Sequence, residues 1–165
     1  MEEDEYIDVP IGSYAVLNGS GTIACRGLGS CVAIMIYNRM SKLGGVAHAM
    51  LPTRVTRASD AESKKENEET RYADDAIDFL LKKIGFRDAT AKLVGGASMF
   101  GTDDIGERNI EMARRKLFEK KIRIVGEDVG GNRARSCFFN VETQEVKVRV
   151  SVRDGFSVKF VEKII

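Results

Sequence analysis

The sequence has a single histidine, only two prolines, an odd number of cysteines and no excess of either charge. With 26 basic and 25 acidic residues, it lacks the basic surplus with which proteins usually neutralise a phosphate backbone. Nucleic acid is therefore not expected as the main partner. No stretch of 18 apolar residues occurs, so direct membrane insertion through a helix is not expected either. The acidic start, Met-Glu-Glu-Asp-Glu, has neither the basic nor the apolar region of a secretion signal, which predicts a cytoplasmic protein. Three cysteines, Cys25, Cys31 and Cys137, then read as free thiols in a reducing compartment rather than as a disulfide framework.

What is present is material for a core. The chain is 43% hydrophobic over 165 residues, about the length of one domain. Without repeats or a linker, residues 1–165 read as a single domain. Strands are expected at 13–17, 21–25, 32–37, 43–51, 92–94, 122–125, 136–142, 145–152 and 156–163, from short β-branched runs bounded by glycine, asparagine and aspartate turns. Ala73, Ile77, Leu80, Leu81 and Ile84 recur at helical spacing and predict a helix over 72–84. A thinner stripe, Ile110, Ala113 and Leu117, predicts another over 105–120, with Asp104 and Glu107 as its capping box. The expected fold is α+β: a mixed α/β layered sandwich with eight or nine strands in a mostly antiparallel sheet and two main helices on one side. Residues 53–71 are polar and aperiodic, which fits a solvated loop or a flap over a site.

Because the chain holds one histidine, any Cys–His chemistry in it must use His48. If the strands ending at Tyr37 and starting at Lys42 form a hairpin around 38–41, partner numbers sum to 79. Cys31 and His48 then face each other directly, with Cβ atoms about 4.5–5.5 Å apart. A slip of one residue would put them on opposite faces. Gly27, Gly29 and Ser30 form a bend in which backbone amides can converge on an oxyanion beside Cys31. Each residue taken alone has a plainer reading, Cys31 as an inert core thiol and His48 as a satisfied buried group. A zinc site of three cysteines and one histidine is disfavoured, since Cys25 and Cys31 are farther apart than the close pairs of structural zinc sites.

Four blocks occur in order: Gly27-Leu28-Gly29-Ser30-Cys31-Val32, Gly45-Val46-Ala47-His48-Ala49-Met50-Leu51-Pro52, Gly95-Gly96-Ala97-Ser98-Met99-Phe100 and Gly130-Gly131-Asn132-Arg133-Ala134-Arg135. Together they resemble the chemoreceptor glutamine deamidase family CheD. The resemblance implies deamidation of selected glutamines on methyl-accepting chemotaxis receptors, a CheC-type phosphatase as a second partner, and no metal or organic cofactor. It places the nucleophile on Cys31 and the base on His48. It also implies a third catalytic position at Cys25, where the family commonly has threonine; a backbone carbonyl orienting the imidazole would let that side chain vary. Phe100, Arg133 and Arg135 are candidates for contact with partner or substrate, against plainer roles in core and surface. An alternative is a binding module that chiefly stimulates the phosphatase. Cysteine peptidase or transglutaminase chemistry would share the same pair of residues.

Overall fold

A computed structural model describes residues 5–55, 68–101 and 103–165. Most of the polar segment expected as a loop or flap therefore lies outside the described residues. Among the described residues are ten strands and two helices. In chain order they are β1 (Tyr6–Asp8), β2 (Tyr14–Asn18), β3 (Thr22–Leu28), β4 (Val32–Asn38), β5 (Leu43–Ala49), α1 (Ala73–Ile84), β6 (Ala89–Gly95), α2 (Ile105–Glu119), β7 (Arg123–Val129), β8 (Arg135–Asn140), β9 (Val146–Asp154) and β10 (Ser157–Ile164).

The strands form two five-stranded sheets, ordered β1-β3-β8-β9-β10 and β2-β5-β4-β6-β7. The expectation of eight or nine strands in one sheet needs correction, since there are ten in two sheets. Most pairings are antiparallel as expected, yet both sheets are mixed, because β1 runs parallel to β3 and β6 runs parallel to β7. The strand missed in the sequence is β1, three exposed residues with no alternation to announce it. The division into two sheets is written in β4, which is buried almost throughout. Its Val32, Ile34 and Ile36 pack against α1 and α2, while Ala33 and Met35 pack against the other sheet. The layers therefore run helices, second sheet, first sheet, with one apolar cluster in each gap.

Strand β5 is shaped by the same two gaps. A Cβ on Gly44 would sit 2.9 Å from Val141, and one on Gly45 would sit 2.7 Å from Ile84. Neither position has room for a side chain, so β5 lies close to both layers. The helices match their expected spans. The capping of α2 differs: Asp104 makes no side-chain cap, and the Ile105 N–H donates to the Asp103 carboxylate instead.

Candidate active site

The loop that carries Cys31 begins at an irregularity in β3. Cys25 lies opposite Cys137, yet Leu28 lies opposite Arg135. Three steps on β3 thus match two on β8, and the extra residue bends the strand. Gly27, at φ 66°, sits in that bulge. The chain then turns through Gly29 and Ser30 into Cys31, one residue before β4 starts.

Three successive carbonyls of this loop are tied down. Gly29 accepts from the Ala97 N–H at 2.9 Å, Ser30 from the Asn109 amide Nδ2 at 2.8 Å, and Cys31 from the Gly96 N–H at 2.8 Å. The glycine pair Gly95-Gly96 at the end of β6 makes the approach possible. Gly95 has φ 113°, and a Cβ there would run into the Cys31 carbonyl oxygen. The peptide bonds are trans, so a fixed carbonyl also fixes the direction of the N–H on the far side of the same plane. The Cys31 N–H favours the ionised form of its own thiol, against the effect of burial.

His48 lies on β5, on the face directed at the first sheet. The β4–β5 register puts Ala33, not Cys31, opposite His48, and partner numbers sum to 81. The expected register is off by two because the connection is the four residues 39–42, with Lys42 at φ 57°. Asn38 stays paired with Leu43 and caps the turn, its Oδ1 accepting the N–H groups of Met40 and Ser41. A shift of two preserves the face, so Cys31 and His48 are diagonal neighbours on one side of the sheet. The Nδ1 of His48 lies 3.0 Å from the Val9 carbonyl. A carbonyl can only accept, so Nδ1 carries the proton and Nε2 presents a lone pair. That Nε2 is buried and has no hydrogen-bond partner among the described residues. Val9 is itself held by the Ala24 carbonyl at 2.8 Å, which prolongs the β1–β3 pairing up to the imidazole.

Burial dominates the ionisation of both groups. It pushes the Cys31 thiol up, partly opposed by the residue's own N–H. It pushes the His48 imidazole down, partly opposed by the Val9 carbonyl and by Asp8. Both directions favour the uncharged forms, a thiol and a neutral imidazole.

A protein-family model described as CheD chemotactic sensory transduction matches residues 50–150. A probable chemoreceptor glutamine deamidase CheD of Pyrococcus horikoshii is 38% identical over 168 residues, covering 96% of this chain and 98% of the relative. The chain belongs to the CheD family. Similar chemoreceptor glutamine deamidases CheD occur in Thermotoga maritima, at 40% identity over 86% of this chain and 89% of the relative, and in Halalkalibacterium halodurans, at 38% over 88% and 94%.

The remaining motif residues of this CheD-family chain are distributed unevenly. Cys25 is fully buried and faces Cys137, whose thiol hydrogen-bonds to it and, with burial, holds it well above the usual thiol range. The group that orients the imidazole is the main chain at Val9, not the side chain at position 25. Phe100 is 86% exposed and Met99 half exposed, so Phe100 is not a core residue. The two arginines part company. Arg133 is exposed. Arg135 is buried, donating to the carbonyls of Gly95 and Gly130 and pairing with Asp128 at 3.3 Å. Its bond to Gly95 clamps the end of β6, from which the strap of residues 96–97 reaches the Cys31 loop. Among the described residues no three His, Cys, Asp or Glu side chains group as a metal site would require.

Two contributors to the geometry of the candidate site have little or no signature in sequence. The Val9 carbonyl has none, since every residue carries one. Asn109 has a faint one: it lies one helical turn before Ala113 on the buried stripe of α2, an uncharged polar residue where an apolar one is expected.

Proposed function

We propose that this CheD-family protein deamidates glutamine side chains on chemoreceptors, with Cys31 as nucleophile and His48 as base. The supporting observation is the tautomer of His48: with Nδ1–H donated to Val9, its unpartnered Nε2 is the only ring nitrogen able to take a proton, and Cys31 lies on the same face. His48 Nε2 accepts the thiol proton as sulfur bonds to the glutamine side-chain carbonyl carbon. The resulting oxyanion is met by the Cys31 N–H. Collapse of this intermediate breaks the C–N bond, His48 returns the proton to the departing nitrogen, and ammonia leaves a thioester. A water then gives one proton to Nε2 and attacks the thioester. The C–S bond breaks, the sulfur recovers a proton, and glutamate is released. The same acyl chemistry would hydrolyse glutamyl methyl esters. Cys25 supports the site by packing. The reaction requires no metal or organic cofactor, and the cytoplasm is its expected setting, where the three cysteines would stay as thiols.

The test is ammonia release from a receptor fragment, with mass spectrometry to locate the glutamine-to-glutamate change. Cys31→Ala and His48→Ala should each reduce the rate by on the order of 1,000-fold or more. Retained activity in either variant would refute the assignment. Peptide cleavage or amine incorporation instead would move the chemistry to the peptidase or transglutaminase class.

A second role, binding a CheC-type phosphatase, is favoured by Met99 and Phe100. The Met99 sulfur packs over the Gly29 position, 3.2 Å from where a Cβ would stand, and the next residue, Phe100, is exposed. A partner held by that ring would cover the approach to Cys31. Phe100→Ala should weaken such a complex without impairing turnover of a small glutamine substrate.

A further inference from the structure

We infer that Asn109 is a positioning residue for the candidate nucleophile and base, joining the Cys31 loop to the end of the His48 strand through one side-chain amide. This rests on the deamidase reading above. The Asn109 Nδ2 donates to the Ser30 carbonyl at 2.8 Å and to the Met50 carbonyl at 3.0 Å. Ser30 immediately precedes Cys31, and Met50 follows the last residue of β5, two places after His48. Both hydrogens of the amide are thus engaged, one on each arm of the site. The reversed amide would set its oxygen against two carbonyl oxygens, so the orientation is determined by its partners.

The residue is costly where it stands. Asn109 is completely buried in the middle of a helix, where asparagine is a weaker helix former than leucine or alanine. Its Oδ1 is buried and has no hydrogen-bond partner among the described residues, an arrangement that disfavours folding. An apolar side chain would extend the stripe formed by Ile110, Ala113 and Leu117. A residue that breaks the local rule in this way is one expected beside a functional site. What it provides is direction. The Ser30 carbonyl and the Cys31 N–H belong to one peptide plane, so holding the carbonyl toward α2 turns the N–H away from it. The neighbouring carbonyls are held by main-chain N–H groups of 96 and 97. Only the plane next to the nucleophile depends on a side chain, and only that side chain also reaches the His48 strand.

The test compares wild type with Asn109→Ala and with Leu117→Ala, which trims a buried residue about two turns farther along the same stripe of the helix. Each is assayed on a receptor fragment well below its own unfolding midpoint. Asn109→Ala should lower kcat about 100-fold, the loss expected when reacting groups are misplaced by about 1 Å, with KM changed by less than about threefold. Leu117→Ala should keep kcat within about threefold of wild type. Equal kcat in the two variants would overturn the proposal and leave Asn109 a folding residue. A second readout needs no turnover: the pH dependence of Cys31 alkylation by iodoacetamide. Its midpoint should move upward in Asn109→Ala, which loosens the N–H beside the thiol, and stay in place in Leu117→Ala. An unmoved midpoint also overturns the proposal. If wild type releases no ammonia, the deamidase reading fails while the alkylation profile still judges Asn109. If Asn109→Ala does not fold, Asn109→Ser, which retains one donor, is held to the same criteria.

Discussion

His48 and Val9 are joined by a hydrogen bond of 3.0 Å from the imidazole Nδ1 to the main-chain carbonyl. The bond crosses the gap between the sheets, since Val9 continues β1 and His48 lies on β5. It selects the tautomer with a lone pair on Nε2, and it does so without any third side chain.

Cys25 should therefore be dispensable for chemistry. Cys25→Ala is expected to keep kcat/KM within about fivefold of wild type, because the Val9 carbonyl is unaffected. The cost should appear as a lower thermal midpoint, since a fully buried side chain packed on Cys137 is trimmed. Steady-state kinetics and thermal unfolding on the same preparation check both halves.

The pH profile should be a broad bell. Productive turnover needs one proton shared between thiol and imidazole. With the His48 value pushed down and the Cys31 value pushed up by burial, kcat/KM should rise at a pH below the ordinary imidazole value and fall only above the ordinary thiol value. A profile centred on a tight ion pair, with the thiol titrating in acid, would contradict it. Stability follows the same sign. A histidine whose folded value is depressed binds fewer protons folded than unfolded. Its contribution is fully present above the unfolded value and is lost as pH falls through the folded one. Chemical denaturation from neutral to mildly acidic pH, with His48→Gln as reference, measures the difference.

Gly95 should be intolerant of any side chain. Its φ of 113° is left-handed, and a Cβ would strike the carbonyl of Cys31. Gly95→Ala is expected to cost about 2–3 kcal/mol in stability and to lower kcat as well, because the displaced atom belongs to Cys31, the proposed nucleophile. Gly130→Ala is the control: also at positive φ, but with nothing within 4 Å of its Cβ.

The two arginines of the glycine–arginine block should separate cleanly. Arg135→Met removes a guanidinium that is 9% exposed and bonded to two carbonyls and Asp128. With Lys163 still beside Asp128 at 3.2 Å, the expected loss is about 2–3 kcal/mol. Arg133→Ala, at an exposed position, should change stability by less than about 0.5 kcal/mol. If Arg133 meets receptor carboxylates, its removal should raise KM with kcat unchanged.

Much of this architecture was legible in the sequence, and the misses have physical causes. The helical stripe ending at Ile84 is a strong periodic signal and the short β-branched run from Val32 a strong compositional one, and both elements fall where expected. The Cys31–His48 register was misjudged because Lys42 adopts a left-handed conformation that glycine or asparagine normally advertises. Asn38, read as part of the turn, holds the strand end with its side chain. The face was still right, because strand geometry repeats every second residue and the error was two. In sequence, Arg135 is a candidate for substrate contact or a surface salt bridge, because a guanidinium rarely lies buried. Its burial depends on carbonyls released by two glycine turns, which no local pattern encodes.

The three tethers on the Cys31 loop come from different parts of the molecule: two from the strap after β6, which Arg135 clamps, and one from α2. Local opening of that strap or of that helix would let the loop drift before the rest of the sheets came apart. Catalytic output should thus fade ahead of the circular-dichroism transition on heating, making turnover the more sensitive thermometer of this fold.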